Sequence, residues 1–416
     1  MKRSFAVILA SVAALACACG QAATARPSSD TYRIVVAEGF GSGPQLAVRD
    51  WPSGKLEREL PIGVAAPDWS RYYSVDYSSG KNALVAIDSR SGRQLGQVAI
   101  PVGYGLPDMN YPRLPGGLSP NGSWIALSTL QQNSFLVGAT TFQAPFKAVS
   151  VHGSFLFDAL SDDGRSLYLS EQLGDAGHYQ IRLVDMTTGK LALQPVVDKR
   201  EATEPMNGIR GDSVAAPNAG YVFTVYARDN GPFIHALPLG QPFAWCLDLP
   251  SGGSSNLEDQ FHWSLATRSD GSSLYAVNGT TGMITQMVPD RLPNVGRSMK
   301  FDPSAAGTSS SAWAPVVDVD AKGAPVGGAS LSPDGQTLYA VGETGVVAID
   351  TSTLNVRRRY LAGTSLISIR SSPDGDWLFA ASSGTDRIYR LNVRTGQEAH
   401  ISGMPNPWAI LWVEPI

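Results

Sequence analysis

A short polar turn between two apolar strands recurs along the whole chain, and this repeat constrains the fold more than any other feature. Its clearest copy, residues 331–341, reads Leu-Ser-Pro-Asp-Gly-Gln-Thr-Leu-Tyr-Ala-Val. Proline presets φ, aspartate caps the turn and glycine accepts a positive φ, so the motif joins two antiparallel strands. Copies of the turn are centred on Trp69, Gly122, Gly164, Gly220, Gly271, Gly335 and Gly375.

A second pair of strands follows most copies of the turn. After Gly335, for example, residues 346–350 and 355–361 read as a third and a fourth strand, separated by a polar turn. The strands are rich in valine, isoleucine and aromatic residues, and we find almost no helical periodicity. Four short strands that recur every 40–64 residues predict an all-β propeller built from four-stranded antiparallel blades.

The two ends of the chain together hold the strands of one further blade. Residues 32–37, 45–49 and 56–60 read as second, third and fourth strands with no first strand before them, whereas residues 408–413 form a lone apolar strand. Pairing the C-terminal strand with the N-terminal three would close the ring and remove open sheet edges. The sequence therefore predicts eight blades, with seven as the alternative.

The first residues predict export. Lys2 and Arg3 precede an apolar run at 5–15, which is too short to span a membrane, and small residues follow it. We assign 1–19 to an export signal, 20–30 to a polar tether and 31–416 to a single propeller domain. Cys17 and Cys19 are candidate lipidation sites, and plain cleavage is the alternative. The predicted location is the bacterial cell envelope through a lipid anchor, or the periplasm or medium after free secretion.

Composition restricts partners and cofactors. A net charge of −4 in 416 residues gives no electrostatic basis for binding nucleic acid, and we expect membrane contact only through an N-terminal lipid. Cys246 is the one cysteine beyond the leader, which excludes an internal disulfide and a covalent haem motif. No metal-ligand spacing is present. We predict a monomer without a cofactor, and the sequence does not exclude a tightly bound quinone.

The recurring Ser-Pro-Asp-Gly, Leu-Tyr-Ala-Val and Val-Ala-Ile-Asp segments resemble the YVTN-type and WD-repeat-like β-propellers of bacteria, with the surface-layer-like repeats of exported proteins. The resemblance covers nearly all of the chain after the leader. It implies a propeller scaffold and leaves the activity open, because the repeated residues are shared by proteins of unrelated function.

Loops that differ between copies are the natural place for a site. In each predicted blade, the connections from strand four to the next strand one and from strand two to strand three lie on one face, which we call the loop side. The opposite face, with the repeated turns, is the turn side. Long or polar connections on the loop side nominate a set of binding residues: Tyr104, Asp108, Tyr111, Arg113, His152, Glu171, His178, Arg210, Arg228, Glu258, Asp259 and His262.

The sequence is compatible with two functions. The first is a binding module that presents the loop side to a protein, peptide or glycan. The alternative is a hydrolase or lyase resembling propeller lactonases, with a polar site at the channel mouth. In that enzyme, histidine or glutamate would act as general base and arginine as oxyanion partner, and the candidates are His152, His178, His262, Glu171, Glu258 and Arg228. No motif assigns a catalytic residue, so we favour binding.

Overall fold

The structure is a computed structural model. It describes residues 30–39, 45–78, 80, 82–110, 114–174, 178–198, 206–216, 220–228, 231–253, 257–289, 293–303, 328–342, 345–382 and 385–416, with the backbone alone at 108–110, 198 and 258. The predicted export signal and nearly all of the tether lie outside these residues. No helix within the described ranges is long and apolar enough to cross a membrane.

The chain forms eight blades of antiparallel strands arranged in a ring, as the repeat predicts. We number the blades along the chain, with blade 1 at the N-terminus. Blade 1 begins with β1 (Tyr32–Glu38), β2 (Gln45–Trp51) and β3 (Leu56–Leu60). Blade 2 contains β4 (Gly63–Ala65), β5 (Arg71–Asp76), β6 (Ala83–Asp88) and β7 (Gln94–Ala99).

Blades 3 and 4 carry additional short strands. Blade 3 comprises β8 (Tyr104–Gly105), a ribbon of β9 (Asp108–Asn110) and β10 (Leu114–Pro115), then β11 (Trp124–Thr129), β12 (Ser134–Ala139) and β13 (Lys147–Ser150). Blade 4 comprises β14 (Phe155–Leu160), β15 (Ser166–Gln172), β16 (His178–Asp185) and β17 (Lys190–Leu191).

The chain between blades 4 and 5 extends both sheets. Strand β18 (Val197–Asp198) joins the outer edge of blade 5, and β19 (Met206–Asn207) pairs with β16. Blade 5 follows with β20 (Ile209–Ala216), β21 (Tyr221–Ala227), β22 (Phe233–Pro238) and β23 (Phe243–Asp248). A short helix, α1 (Leu257–Gln260), then leads into blade 6.

The last three blades are regular. Blade 6 contains β24 (Trp263–Thr267), β25 (Leu274–Asn278), β26 (Met283–Val288) and β27 (Asn294–Lys300). Blade 7 contains β28 (Ala329–Leu331), β29 (Thr337–Gly342), β30 (Gly345–Asp350) and β31 (Val356–Tyr360). Blade 8 contains β32 (Leu366–Ser371), β33 (Trp377–Ser382), β34 (Ile388–Asn392) and β35 (Glu398–Ile401).

The final strand, β36 (Ala409–Pro415), closes the ring as the innermost strand of blade 1. It pairs antiparallel with β1, so that Tyr32 opposes Pro415 and Ala37 opposes Ala409. The predicted pairing of the two chain ends and the count of eight blades are both confirmed.

The repeated turns connect the first and second strands of their blades, as predicted. In blade 7, Ser332 Oγ and the backbone N of Gln336 both donate to Asp334 Oδ1, at 2.6 and 2.9 Å. These bonds lower the pKa of the Asp334 carboxyl. Trp69 takes the position of the usual glycine with a φ of 54°. The turn chemistry is therefore local scaffolding.

The core lies between neighbouring blades. Between blades 8 and 1, for example, the rings of Tyr32 and Trp51 meet Phe379 edge to face, with centroids 5.3 and 5.6 Å apart. All three side chains are buried. Such aromatic pairs add to the free energy gained by burying apolar surface. The ring is thus held by hydrophobic layers that adjacent sheets share.

Two predicted loop assignments are wrong. Tyr104 lies in the inner strand β8, paired with Thr129, and Arg210 lies in the inner strand β20. Polar composition indicated loops at both places, but strand pairing within blades 3 and 5 determined the structure. The outer strand of blade 4 is only Lys190–Leu191, because the chain then leaves blade 4 and adds β18 to blade 5.

Candidate functional site

One group of predicted residues lies on the loop side of blade 4. Glu171 near the end of β15 accepts hydrogen bonds from Arg182 Nη1 and Gln180 Nε2, both at 2.6 Å. His178 begins β16 on the same side. His152 precedes Gly153, where a Cβ would lie 3.8 Å from Glu171 Oε1. The structure therefore brings these three candidates to one edge of one blade, with the carboxylate already ion-paired.

A second group spans blades 5 and 6. Arg228 Nη2 donates to Asp248 Oδ1 at 2.8 Å, and its guanidinium lies 4.4 Å from the centroid of the Phe233 ring. The backbone N of Arg228 donates to Oε1 of Gln260 in α1 at 3.3 Å. This bond joins the loop of blade 5 to the segment that enters blade 6. The position of Arg228 is thus fixed by a carboxylate, an aromatic ring and the backbone.

His262 and Asp259 belong to the same segment. Burial lowers the pKa of His262 to about 4, and the charge of Asp259 opposes that shift. The imidazole is consequently neutral at neutral pH. The backbone oxygen of Asp259 accepts from Asn278 Nδ2 at 2.6 Å, which ties the segment to blade 6. The side chain of Glu258 lies outside the described residues.

The described strands of the long insertion at 103–116, β9 and β10, lie against inner strands at the central channel. Its neck is closed by a backbone bond from Gly116 N to Pro107 O, at 2.8 Å. Strand β9 lies beside the inner strands β14 and β20, and β10 lies beside β4. The ribbon therefore extends across the channel from blade 3. The backbone of Asp108 is part of it, whereas Tyr111 and Arg113 lie outside the described residues.

Arg210 faces the inner strand of blade 4. Its Nη2 lies 3.5 Å from Oδ1 of the buried Asp158, and Nη1 donates to the backbone oxygen of Phe157 at 3.5 Å. Both strands carry a register shift at this level. The pair links blades 4 and 5 within the ring, so the position predicted for a surface arginine is occupied by an interblade ion pair.

Exposed apolar side chains mark another part of the loop side. Tyr77, Val102 and Leu130 are 60%, 77% and 90% exposed. Tyr77 follows β5, Val102 precedes β8, and Leu130 directly follows Thr129, which pairs with Tyr104. A Cβ on Gly105 would lie 2.7 Å from the Tyr77 hydroxyl. We call Tyr77, Val102 and Leu130 the loop-side apolar patch.

A cavity of about 390 Å³ lies on the other side of the channel. Its walls are the turn-side ends of the inner strands of blades 5, 6, 7, 8 and 1, and it extends to the exposed turn at Asp334. We call it the turn-side cavity. Val214, Leu331 and Trp412 supply apolar surface, and Arg268 and Arg370 supply positive charge.

Arg370 is the unusual residue of this cavity. Its Nε is buried and has no hydrogen-bond partner among the described residues. Burial lowers the pKa of its guanidinium, and the charge of Asp212 opposes that shift. Asp212 uses its own oxygens to accept from the backbone N of Leu265 and of Ser213, at 2.8 and 2.9 Å. Burial raises the pKa of the Asp212 carboxyl to about 6.

Asp212 and Arg370 were not among the predicted site residues, although the sequence carries a signal for Arg370. Counted from the repeated turn, Arg370 stands three residues before Pro373, where blade 7 has Ser330 before Pro333 and blade 5 has Val214 before Pro217. A charged residue therefore replaces a small or apolar one at an inner-strand position. Comparison of the copies position by position would have identified it, whereas scanning loops for polar residues could not.

Within the described part of the chain, no group of three or more histidine, cysteine, aspartate or glutamate side chains is arranged to hold a metal ion. Cys246 lies in β23 opposite His235, partly buried, with its sulfur 4.0 Å from Met206 Sδ. His235 is buried in the middle of β22.

Comparison with known proteins identifies the architecture. No family model matches the chain, and no curated protein matches it. Among solved structures, apo AztD from Citrobacter koseri is 13% identical with a TM-score of 0.56, over 92% of this chain and 97% of that one. The dihydro-heme d1 dehydrogenase NirN, in complex with DHE, is 13% identical with a TM-score of 0.53, over 92% of this chain and 75% of that one. At such identities the likeness concerns the fold alone, and the chain is an eight-bladed β-propeller.

Proposed function

We propose that the protein is an exported binding module that engages a protein or peptide partner through the loop side of the propeller. The loop-side apolar patch carries this proposal. Tyr77, Val102 and Leu130 come from neighbouring connections of blades 2 and 3 and are mostly exposed. Clustered exposed apolar side chains are typical of interaction sites, because burying them against a partner removes apolar surface from water.

The charged loop-side residues support recognition better than catalysis. Glu171 is paired with Arg182, and Arg228 is held by Asp248 and the Phe233 ring. A general base needs an available lone pair close to the proton that it removes. A carboxylate already bonded to arginine is a weaker base, whereas charges fixed in place suit a polar rim around an apolar centre.

A photo-crosslinker tests the proposal. We expect p-benzoylphenylalanine at Leu130 to form adducts of discrete mass in cells that express the chain. The same probe at Leu193, an equally exposed leucine in the outer part of blade 4 (94% exposed), is the control and should form none of them. Tyr77→Ser with Val102→Ser, in the Leu130 probe background, should lower the yield several-fold.

Two results would redirect the proposal. Identical adducts from both positions, or a yield that the two serine substitutions leave unchanged, would show that the patch is not the binding surface. Adducts that disappear after glycosidase treatment would indicate a glycan in place of a protein or peptide.

Export forms a separate part of the proposal, supported by Lys2, Arg3 and the apolar run at 5–15. Intact-mass measurement of the mature N-terminus tests it. A diacylglycerol adduct on Cys17 or Cys19 would show a lipid anchor, and cleavage without the adduct would show free secretion. A full-length chain that retains Met1 in the cytoplasm would contradict export.

A further inference from the structure

The turn-side cavity contains a partly buried cation with little hydrogen bonding. Arg370 lies in β32, and its Nε has no partner among the described residues. A guanidinium has five N–H donors, and each donor buried without an acceptor costs free energy. An acceptor that enters the cavity would therefore gain more at Arg370 than at an arginine already paired.

The neighbouring charges leave Arg370 available. Asp212 balances its charge through space, but the Asp212 oxygens already accept backbone bonds from Leu265 and Ser213. Asp334 is turned toward Ser332 and Gln336 of its own turn. Asp212 therefore reduces the positive potential at Arg370, and neither carboxylate accepts a hydrogen bond from its guanidinium among the described residues.

The second cation of the cavity is engaged elsewhere. Arg268 Nη1 donates to the backbone oxygen of Gly335 at 3.1 Å, and its Nε lies 3.6 Å from Asp270 Oδ1. Arg268 contributes positive potential at the mouth of the turn-side cavity, whereas the N–H donors that lack an acceptor belong to Arg370. Positive potential in a concave site attracts anions.

We propose that the turn-side cavity binds a small organic monocarboxylate, with the Arg370 guanidinium holding the carboxylate. A planar guanidinium matches a carboxylate through two parallel hydrogen bonds. The cavity volume of about 390 Å³ lies within the range of small-molecule sites. Val214, Leu331 and Trp412 would contact an apolar body on the ligand.

Desolvation favours a carboxylate over a phosphate. For a dianionic phosphate, the attraction to Arg370 and the repulsion from Asp212 both double, whereas the free energy needed to take the anion out of water rises about fourfold. Both anions can accept two hydrogen bonds from Arg370, so the cost of desolvation is what separates them. This site lies on the face opposite the loop-side apolar patch and needs no residue of that patch.

Isothermal titration calorimetry with acetate, benzoate and indole-3-acetate tests the proposal on the purified full chain. We expect saturable binding, with Kd below about 1 mM for at least one of the aromatic carboxylates. Benzamide, which lacks the charge, and phenyl phosphate should bind more weakly than benzoate. Failure of all three carboxylates to bind would overturn the proposal.

Substitutions locate the site. Arg370→Gln should weaken carboxylate binding by about tenfold or more, and Arg370→Lys should weaken it less, because lysine keeps the charge without the planar fork. Arg297→Gln, on the exposed outer strand of blade 6, is the matched control and should bind as the unaltered protein does. Equal affinity in Arg370→Gln would overturn the proposal.

Two checks keep the result interpretable. If Arg370→Gln fails to fold in a thermal melt, Arg370→Lys and chemical-shift changes of the Trp412 indole on adding benzoate carry the test. Leu130→Ser should leave carboxylate binding unchanged. The loop-side proposal and the carboxylate site can therefore fail independently.

Discussion

At the residue scale, Asp212 and His262 are partly buried groups whose pKa values move in opposite directions. Asp212 rises to about 6 and His262 falls to about 4, both chiefly through burial. Between these values the folded state holds a proton on Asp212 that the unfolded state has released, so this group makes the free energy of unfolding fall as pH rises. His262 stays neutral when folded but is protonated when unfolded, so its contribution rises with pH. The two effects oppose each other over the same window.

Replacing His262 should remove its contribution to the pH dependence of stability and leave that of Asp212. Each pKa unit corresponds to about 1.4 kcal/mol. As the pH falls from about 6.5 to about 4.5, the free energy of unfolding of His262→Gln should therefore rise by about 2–3 kcal/mol relative to that of the unaltered protein. Urea denaturation across that range measures it. His400→Gln, at an exposed outer-strand position, is the control, and a difference between His262→Gln and the unaltered protein that stays constant with pH would contradict the burial of His262.

At the element scale, inner strands are joined by side chains that accept backbone hydrogen bonds from the next blade. Ser330 Oγ accepts from Ser371 N, and Ser368 Oγ accepts from Ile410 N, both at 3.0 Å. Asp212 does the same for Leu265 N. Inner strands of different blades lack a continuous ladder of backbone bonds, so these side chains satisfy donors that would otherwise be buried without a partner.

Ser368→Ala tests this role. Ser368 is fully buried, so its loss leaves the Ile410 N–H without an acceptor and should cost about 1–3 kcal/mol of unfolding free energy. Urea denaturation at neutral pH provides the measurement. Ser134→Ala, at an exposed serine pair on outer strands, should change stability by less than about 0.5 kcal/mol. Similar losses in both variants would argue against an interblade role for Ser368.

The same scale shows what sequence could and could not predict. Pro373, Asp374 and Gly375 form a turn through interactions with residues next to them in the sequence. Local chemistry was therefore enough to predict each turn, and the spacing of the turns was enough to predict the blades. Arg210 and the ribbon beginning at Asp108 depend on strands far away in the chain. Their polar composition indicated rim loops, whereas contacts with blades 4 and 5 placed them inside the ring. The turn-side cavity could not be predicted, because its lining comes from five blades and no single copy of the repeat contains enough of it.

At the scale of the whole molecule, the channel separates two surfaces of different character. The loop side carries exposed apolar residues and paired charges, while the turn side carries a concave site with a partly buried arginine. Both surfaces contain residues that differ from those at the corresponding positions of other blades, whereas the repeated residues maintain the scaffold. The arrangement requires the ring to be closed, because blades 8 and 1 both contribute to the turn-side cavity.

Ring closure by β36 can be tested by truncation. Removing residues 408–416 deletes the inner strand of blade 1, the Ile410 bond to Ser368, and Glu414, which pairs with Arg33 and Arg90. It also uncovers the edge of β1 and the apolar surface beneath β36. We expect the truncated chain to lose its cooperative thermal transition, as followed by circular dichroism. Removing Ile416 alone, at 58% exposure, should leave the transition within a few degrees of the original.

A complementation experiment distinguishes the loss of ring closure from a nonspecific effect of shortening the chain. A synthetic peptide of residues 407–416, added to the truncated protein, should restore a cooperative transition whose midpoint rises with peptide concentration, because binding to the native state stabilises it by mass action. A truncated protein that melts at the original temperature without the peptide would show that blade 1 is stable with three strands. The ring would then be held by the interblade layers alone, although the turn-side cavity would still lose the Trp412 side chain from its lining.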